Sequence, residues 1–167
     1  MNQTVQSFFA HDHDRLDQLL ETYRRLKKAE FAKAKQAFKE FKFGLQRHII
    51  WEETVLFPLF EEKTGMRDTG PTTVMRAEHR EIGDCLEALH DKVRRQDMNT
   101  NLEEQRLFQA LHAHNQKEEN VLYPAIDRLA SGEEREAAFK KMKELPEEAY
   151  QTCCGAKHGV VEHGTQL

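Results

Sequence analysis

HIIWEETVLFP, from His48 to Pro58, returns later in the chain as HNQKEENVLYP, from His114 to Pro124. Both copies read His-x-x-x-Glu-Glu-x-Val-Leu-aromatic-Pro. The offset that carries residue 48 to residue 114 also carries Asp12-His13 to Glu78-His79. One unit, a His followed later by His-x-x-x-Glu, is therefore written twice. Four histidines and two glutamates at matched places form a ligand inventory for a pair of metal ions.

Around these residues the apolar positions step by three or four, which keeps them on one face of a helix. The first such stripe is Phe9, His13, Leu16, Leu20 and Tyr23. The second runs Phe38, Phe41, Leu45, His48, Glu52, Val55, Leu59. The third is Met75, His79, Ile82, Leu86, Leu89, Val93, and the fourth is Leu107, Leu111, His114, Glu118, Val121, Ala125, Leu129. The polar candidates sit inside the stripes. Thr64-Gly65, Gly70-Pro71 and the run from Asp97 to Asn101 punctuate the chain between helices, while the turn near Lys28 to Phe31 has neither Gly nor Pro. Pro58 and Pro124 fall inside helical patterns that continue beyond them, so both helices should kink there. Ser131-Gly132-Glu133-Glu134 closes the fourth helix and caps a short fifth, with Phe139, Met142 and Leu145 on one side. The expected fold is all-α: an up-down-up-down four-helix bundle of two repeated helical hairpins, plus a short C-terminal helix and tail. The domain spans residues 1–150, and 151–167 form a tail containing Cys153, Cys154, His158 and His163.

Composition bounds the function. A chain of 167 residues suits one domain with a proper core. The formal net charge of −4 leaves no footprint for nucleic acid. Basic runs such as Arg24, Arg25, Lys27, Lys28 read as solvated helix faces. No apolar run approaches the roughly 18 residues that span a bilayer, and MNQTVQSFFAHDHD lacks the features of a secretory signal. Three cysteines make no disulfide framework, so a reducing cytoplasm is expected. Cys85 reads as a small buried residue. Hydrolase elbows, P-loops and dinucleotide fingerprints are absent.

A His and a Glu four residues apart lie on one helix face and can point at a shared centre. Burying a lone carboxylate costs several kcal/mol or more. A cation offsets that cost, and imidazole with carboxylate suits iron, manganese or zinc. A single histidine in an apolar stripe is ordinarily a packed or boundary residue, but six groups recurring at one offset are not explained that way. Glu53 and Glu119 are rotated about 100° from the candidates beside them and read as supporting or solvated groups. His11 and His112 point elsewhere, and Ala77 and Gln46 replace them in the other repeat.

The motifs Asp12-His13, His48-x-x-x-Glu52, Glu78-His79 and His114-x-x-x-Glu118 resemble the hemerythrin-like (HHE cation-binding) domain family over about residues 5 to 130. The resemblance implies two iron ions in a non-haem, oxo- or hydroxo-bridged centre, with zinc or manganese as possible substitutes. It would assign His13 and His48 to one iron, His79 and His114 to the other, and Glu52 and Glu118 to bridges. Oxygen-carrying members place a further histidine one turn before the third-helix ligand, where this chain has Met75. Members with four histidines and two carboxylates resemble those linked to nitric oxide and oxidative stress, including the repair-of-iron-centres group. That group has a Cys-Cys-Gly element in a separate N-terminal domain, and Cys153-Cys154-Gly155 is similar to it. The expected function is a di-iron stress protein that meets oxygen or nitric oxide, or donates iron to an accepting protein. The alternatives are a reversible oxygen carrier or store and a metal-free helical interaction module.

Overall fold

The computed structural model describes residues 3–150. The expected tail, 151–167, lies outside the described residues. Five helices follow in order. α1 is Val5–Leu26. α2 covers 31–64 in three stretches: Phe31–Trp51, a π-helical turn Glu52–Leu56, and Phe57–Thr64. α3 is Pro71–Arg94. α4 covers 101–129 as Asn101–Lys117, a second π-helical turn Glu118–Leu122, and Tyr123–Leu129. α5 is Gly132–Glu144, followed by a 3-10 turn at Glu147–Tyr150.

The turns between α1, α2, α3 and α4 are too short for crossovers, so consecutive helices run antiparallel. α1 packs on α2 and α3 on α4. The hairpins join where the end of α4 meets α1 and where α2 meets α3 and α4. Asp127 on α4 pins one junction by accepting from the backbone N–H groups of Val5 (2.8 Å) and Gln6 (3.0 Å), which the first turn of a helix leaves unpaired. Thr4 caps the same end from its own side. α2 stops at Gly65, whose φ of 74° is the left-handed conformation that glycine adopts without steric cost. Ser131 and Glu134 form the expected capping box on α5, which packs against the π-turn of α2. Among the described residues no helix is long and apolar enough to cross a membrane.

The apolar core has two parts. One joins Leu16, Leu20, Phe38, Phe41, Leu45, Ile82, Leu86 and Leu107. The other joins Val5, Phe9, Val55, Phe57, Met75, Leu122, Tyr123 and Ile126. On every bundle helix the His and Glu residues of the doubled motif fall between these two sets in sequence, so they form a polar layer inside an apolar bundle.

Two sequence expectations need correction. Of the stripe Val121, Ala125, Leu129, only Ala125 packs against the core: Val121 and Leu129 are exposed, while Leu122, Tyr123 and Ile126 are buried. The cause is the π-turn. Phe57 and Tyr123 donate their backbone N–H to Glu52 and Glu118, five residues back rather than four. One extra residue per turn shifts the inward face downstream by one position. Pro58 and Pro124 then fall in the first turn of the next α-helical stretch. The break expected at each proline thus takes the form of a π-turn just before it. Lys27 is the second correction. It is not on a solvated face: just past the end of α1 it is buried, and its ammonium donates to Thr100 (3.0 Å), Asn101 (2.7 Å) and Glu104. Cys85 is half-buried against the first core.

Candidate metal centre

His13 comes from α1, His48 and Glu52 from α2, His79 from α3, His114 and Glu118 from α4. All six are buried, and both glutamates are wholly so. The structure brings together every residue that the doubled motif singled out. Nε2 of His13 and Nε2 of His48 lie 3.1 Å apart, and those of His79 and His114 are also 3.1 Å apart. Two nitrogens bound at right angles to one first-row ion at about 2.0–2.1 Å stand about 3 Å apart. The spacing is therefore that of two adjacent ligands.

The opposite ring nitrogens are all engaged. Nδ1 of His13 meets Glu119 (2.7 Å), Nδ1 of His48 meets Asp12 (2.9 Å), Nδ1 of His79 meets Glu53 (2.7 Å), and Nδ1 of His114 meets Glu78 (2.9 Å). The pattern has two-fold logic. The acid preceding the first His of each repeat holds the second His of the same hairpin. The acid following each buried Glu holds a His of the other hairpin. With its Nδ1 hydrogen donated to a carboxylate, each ring presents Nε2 as a lone pair to the centre.

The glutamates lie between the histidine pairs. Glu118 approaches His114 Nε2 at 3.0 Å through Oε1 and His13 Nε2 at 3.4 Å through Oε2. Oε2 of Glu52 lies 3.2 Å from His79 Nε2 and 3.6 Å from His48 Nε2. These donors form two groups with the spacing that a metal ion needs: Glu52, His79, His114 and Glu118, and His13, His48 and Glu118. Glu52 Oε2 and Glu118 Oε1 are buried and accept no hydrogen bond. Two orphaned carboxylate oxygens facing four imidazole nitrogens fit a cation.

Electrostatics lead to the same conclusion. Burial opposes a charge on His13, but hydrogen bonds and charge from Glu118 and Glu119 outweigh it, and His13 is pushed up to about 9. Burial beside that cation pushes His48 down to about 4. Burial and the Glu118 charge raise Glu52 well above the usual carboxylate range. Glu118 is also buried, but the histidines around it hold it well below that range. In the protein alone, protons therefore sit where a cation would. Burial would raise Asp12, but His48 and Arg15 hold it down at about 2, so it remains an ionised acceptor.

Some features escaped the sequence reading. Asp12 and Glu78 were visible in the repeat, but their hydrogen bonds to the neighbouring helix were not. Tyr123 read only as the aromatic residue closing the motif. Its hydroxyl lies 2.6 Å from Glu52 Oε1 and 2.8 Å from Glu118 Oε2. One phenolic hydrogen serves both contacts only if one carboxyl is protonated and donates back, which agrees with the raised Glu52. In a regular α-helix residue 123 would sit about 140° around from residue 118. The π-turn brings it back to the same face. His11 and His112 are exposed and outside the cluster, as expected.

Beside the histidines is a small cavity of about 10 Å³, lined by Leu16, Leu45, Ile49, Ile82 and Leu111 together with the four rings. Neither glutamate nor Tyr123 lines it, so the centre has a carboxylate-phenol side and an apolar side. Asp17 and Asn115 at its edge also line a wider surface depression that reaches His13.

A layer of four histidines and two glutamates across a doubled helical hairpin defines a metal-binding bundle. The family model for the hemerythrin HHE cation binding domain matches residues 4–126, and the chain belongs to that family. Among curated relatives it is similar to the iron-sulfur cluster repair protein YtfE of Edwardsiella ictaluri, 44% identical over 45 residues, which are 27% of this chain and 20% of the relative. The proteins of the same name from Cronobacter sakazakii and Escherichia coli O1:K1 are 42% and 40% identical over 45 residues, with the same coverage of each chain. The matched segment is thus about a fifth of these relatives' length. No solved structure matches the chain at comparable significance.

Proposed function

We propose that the chain is a non-haem di-iron protein acting in oxidative or nitrosative stress. His13 and His48 hold one iron, His79 and His114 the other, with Glu52 and Glu118 between them. It handles a diatomic gas, oxygen or nitric oxide, or gives up iron to an acceptor, in a reducing compartment such as the cytoplasm. The observation that carries this reading is the paired imidazole geometry: two Nε2 pairs, each 3.1 Å apart, face two buried glutamates that cannot satisfy themselves. A donor set of imidazole and carboxylate, with no cysteine in it, suits iron.

Bound iron would supply reversible one-electron chemistry and open coordination positions. The protein's own groups set what happens around it. Asp12, Glu53, Glu78 and Glu119 fix the rings and increase their donor strength. Tyr123 ties the two glutamates together through its hydroxyl. The cavity beside the histidines is at the lower size limit for one water-sized guest and offers it apolar walls. A larger organic substrate does not fit there. Met75 is buried in the same apolar core as Phe9 and Phe57, which favours a four-histidine centre over the carrier type. The named role of the similar proteins, iron-sulfur cluster repair, points the same way.

Metal analysis after purification without chelator is the first test, with two irons per chain expected. Anaerobic loading followed by oxygen or nitric oxide should then give oxidation or a nitrosyl spectrum. A stable oxygen adduct that dissociates under vacuum would favour the carrier, and a metal-free chain would leave only an interaction module.

A further inference from the structure

We propose that the phenolic oxygen of Tyr123 is itself a metal ligand, so that the two metal positions of the cluster are chemically unlike. The proposal rests on the metal reading above and adds a donor to it. Oη of Tyr123 lies 3.5 Å from Nε2 of both His13 and His48. It is 2.8 Å from Glu118 Oε2, which is 3.4 Å from His13 Nε2. With the 3.1 Å separation of the two nitrogens, five of the six distances among these four atoms run from 2.8 to 3.5 Å. Four donors at about 2.0–2.1 Å from one ion stand about 3.3–3.4 Å from each other. The five distances bracket that value.

The other position completes itself differently. Nε2 of His79 and His114 are joined there by Glu52 Oε2 at 3.2 Å and Glu118 Oε1 at 3.0 Å. The residue equivalent to Tyr123 in the first repeat is Phe57. It stacks on His79 with ring centroids 5.6 Å apart and offers no donor. The first position thus has two nitrogens, one carboxylate and a phenol, and the second has two nitrogens and two carboxylates. Glu118 spans both. Glu52 belongs to the second position and hydrogen-bonds the phenol through its remaining oxygen. When the first ion binds, the Tyr123 O–H bond breaks and its electron pair forms the metal–oxygen bond. Two protons would leave to solvent in all: the one on Glu52, whose loss frees that carboxylate for the second ion, and the phenolic one, which can follow through Glu52 Oε1, 2.6 Å away.

The test compares the natural chain with Tyr123→Phe. Phenylalanine already stands at the equivalent position 57, so the variant should fold, and circular dichroism with zinc titration checks that it does. Each protein takes up two equivalents of ferrous iron under argon and is then exposed to air. The natural chain should show a phenolate-to-iron(III) absorption band, with tyrosinate ring modes in resonance Raman spectra excited within it. The variant should lose both and should bind one of its two ions at least about 10–100-fold more weakly in competition with a chelator. The chain has three tyrosines. Tyr23 is bonded to Thr100 and Tyr150 to Trp51, so neither can supply the band. Two bound irons without phenolate features, or unchanged affinities in the variant, would overturn the ligand assignment alone. A natural chain that takes up neither iron nor zinc would overturn the metal reading as well.

Discussion

Glu119 on α4 accepts a hydrogen bond at 2.7 Å from Nδ1 of His13 on α1, tying the ring of one hairpin to the end of the other. Glu53 does the same for His79. A ring held this way keeps its tautomer and its aim, and the carboxylate strengthens it as a donor. Glu119→Ala should therefore lower metal affinity about 10–100-fold without changing stoichiometry, as read by chelator competition. Glu119→Gln, which keeps an acceptor, should lose less. Equal affinities in the natural and alanine proteins would mean that the bond orients nothing.

Metal removal should cost stability, because the protein alone must keep two wholly buried glutamates together. At free metal about 1,000 times the dissociation constant, the gain from binding is about 4 kcal/mol. Thermal melts with and without chelator measure it. Glu118 joins both donor groups and Glu52 one, so Glu118→Ala should deplete metal more than Glu52→Ala. The reverse order would contradict the shared role of Glu118.

The helices and the six clustered residues were legible because both signals are local or repeated. A period of three to four residues marks a helix face, and recurrence marks the His and Glu set. What stayed hidden depends on partners that spacing does not reveal. Lys27 looks like its solvated neighbours until Glu104 of α4 and Thr100, just before that helix, meet it across the bundle. Asp12 finds His48 only when α1 and α2 pack. The π-turns shift one hydrogen bond each and have no residue type of their own. The sequence stripe therefore kept Val121 inward where Leu122 is buried, and Tyr123 read only as the aromatic residue of the motif.

The capping box at α5 offers a pH test away from the metal. Ser131 accepts from the Glu134 N–H at 3.2 Å, and Glu134 accepts from the Ser131 N–H at 2.8 Å. Ser131→Ala should cost about 1 kcal/mol. Lys63 and the Ser131 N–H hold Glu134 below the usual carboxylate range. A folded pKa lower than the unfolded one stabilises above the unfolded value and ceases to do so as pH falls through the folded one. The melting-temperature difference between natural chain and Glu134→Gln should thus be present at neutral pH and shrink in acid below the ordinary carboxylate range. A difference that grows on acidification would contradict the assignment.

Lys27 and Glu104 make the strongest prediction about the fold. Both are buried, and Thr100 and Asn101 complete the ammonium's partners. Removing one member of a buried pair leaves an uncompensated charge, at a cost of about 3–5 kcal/mol. Arg24 also reaches Glu104 at 3.2 Å from a half-exposed position, so Lys27→Met should fall at the lower end, about 3 kcal/mol. Adding Glu104→Gln removes the stranded charge and should recover part of the loss. Lys27, just past the end of α1, lies fourteen residues beyond His13, about 21 Å at the α-helical rise. Urea unfolding should therefore show the loss while metal stoichiometry stays unchanged. If Lys27→Met instead unfolds with an unchanged midpoint, the buried pair contributes nothing net. If it loses metal while still folded, the two ends of the bundle are coupled in a way that this packing does not provide.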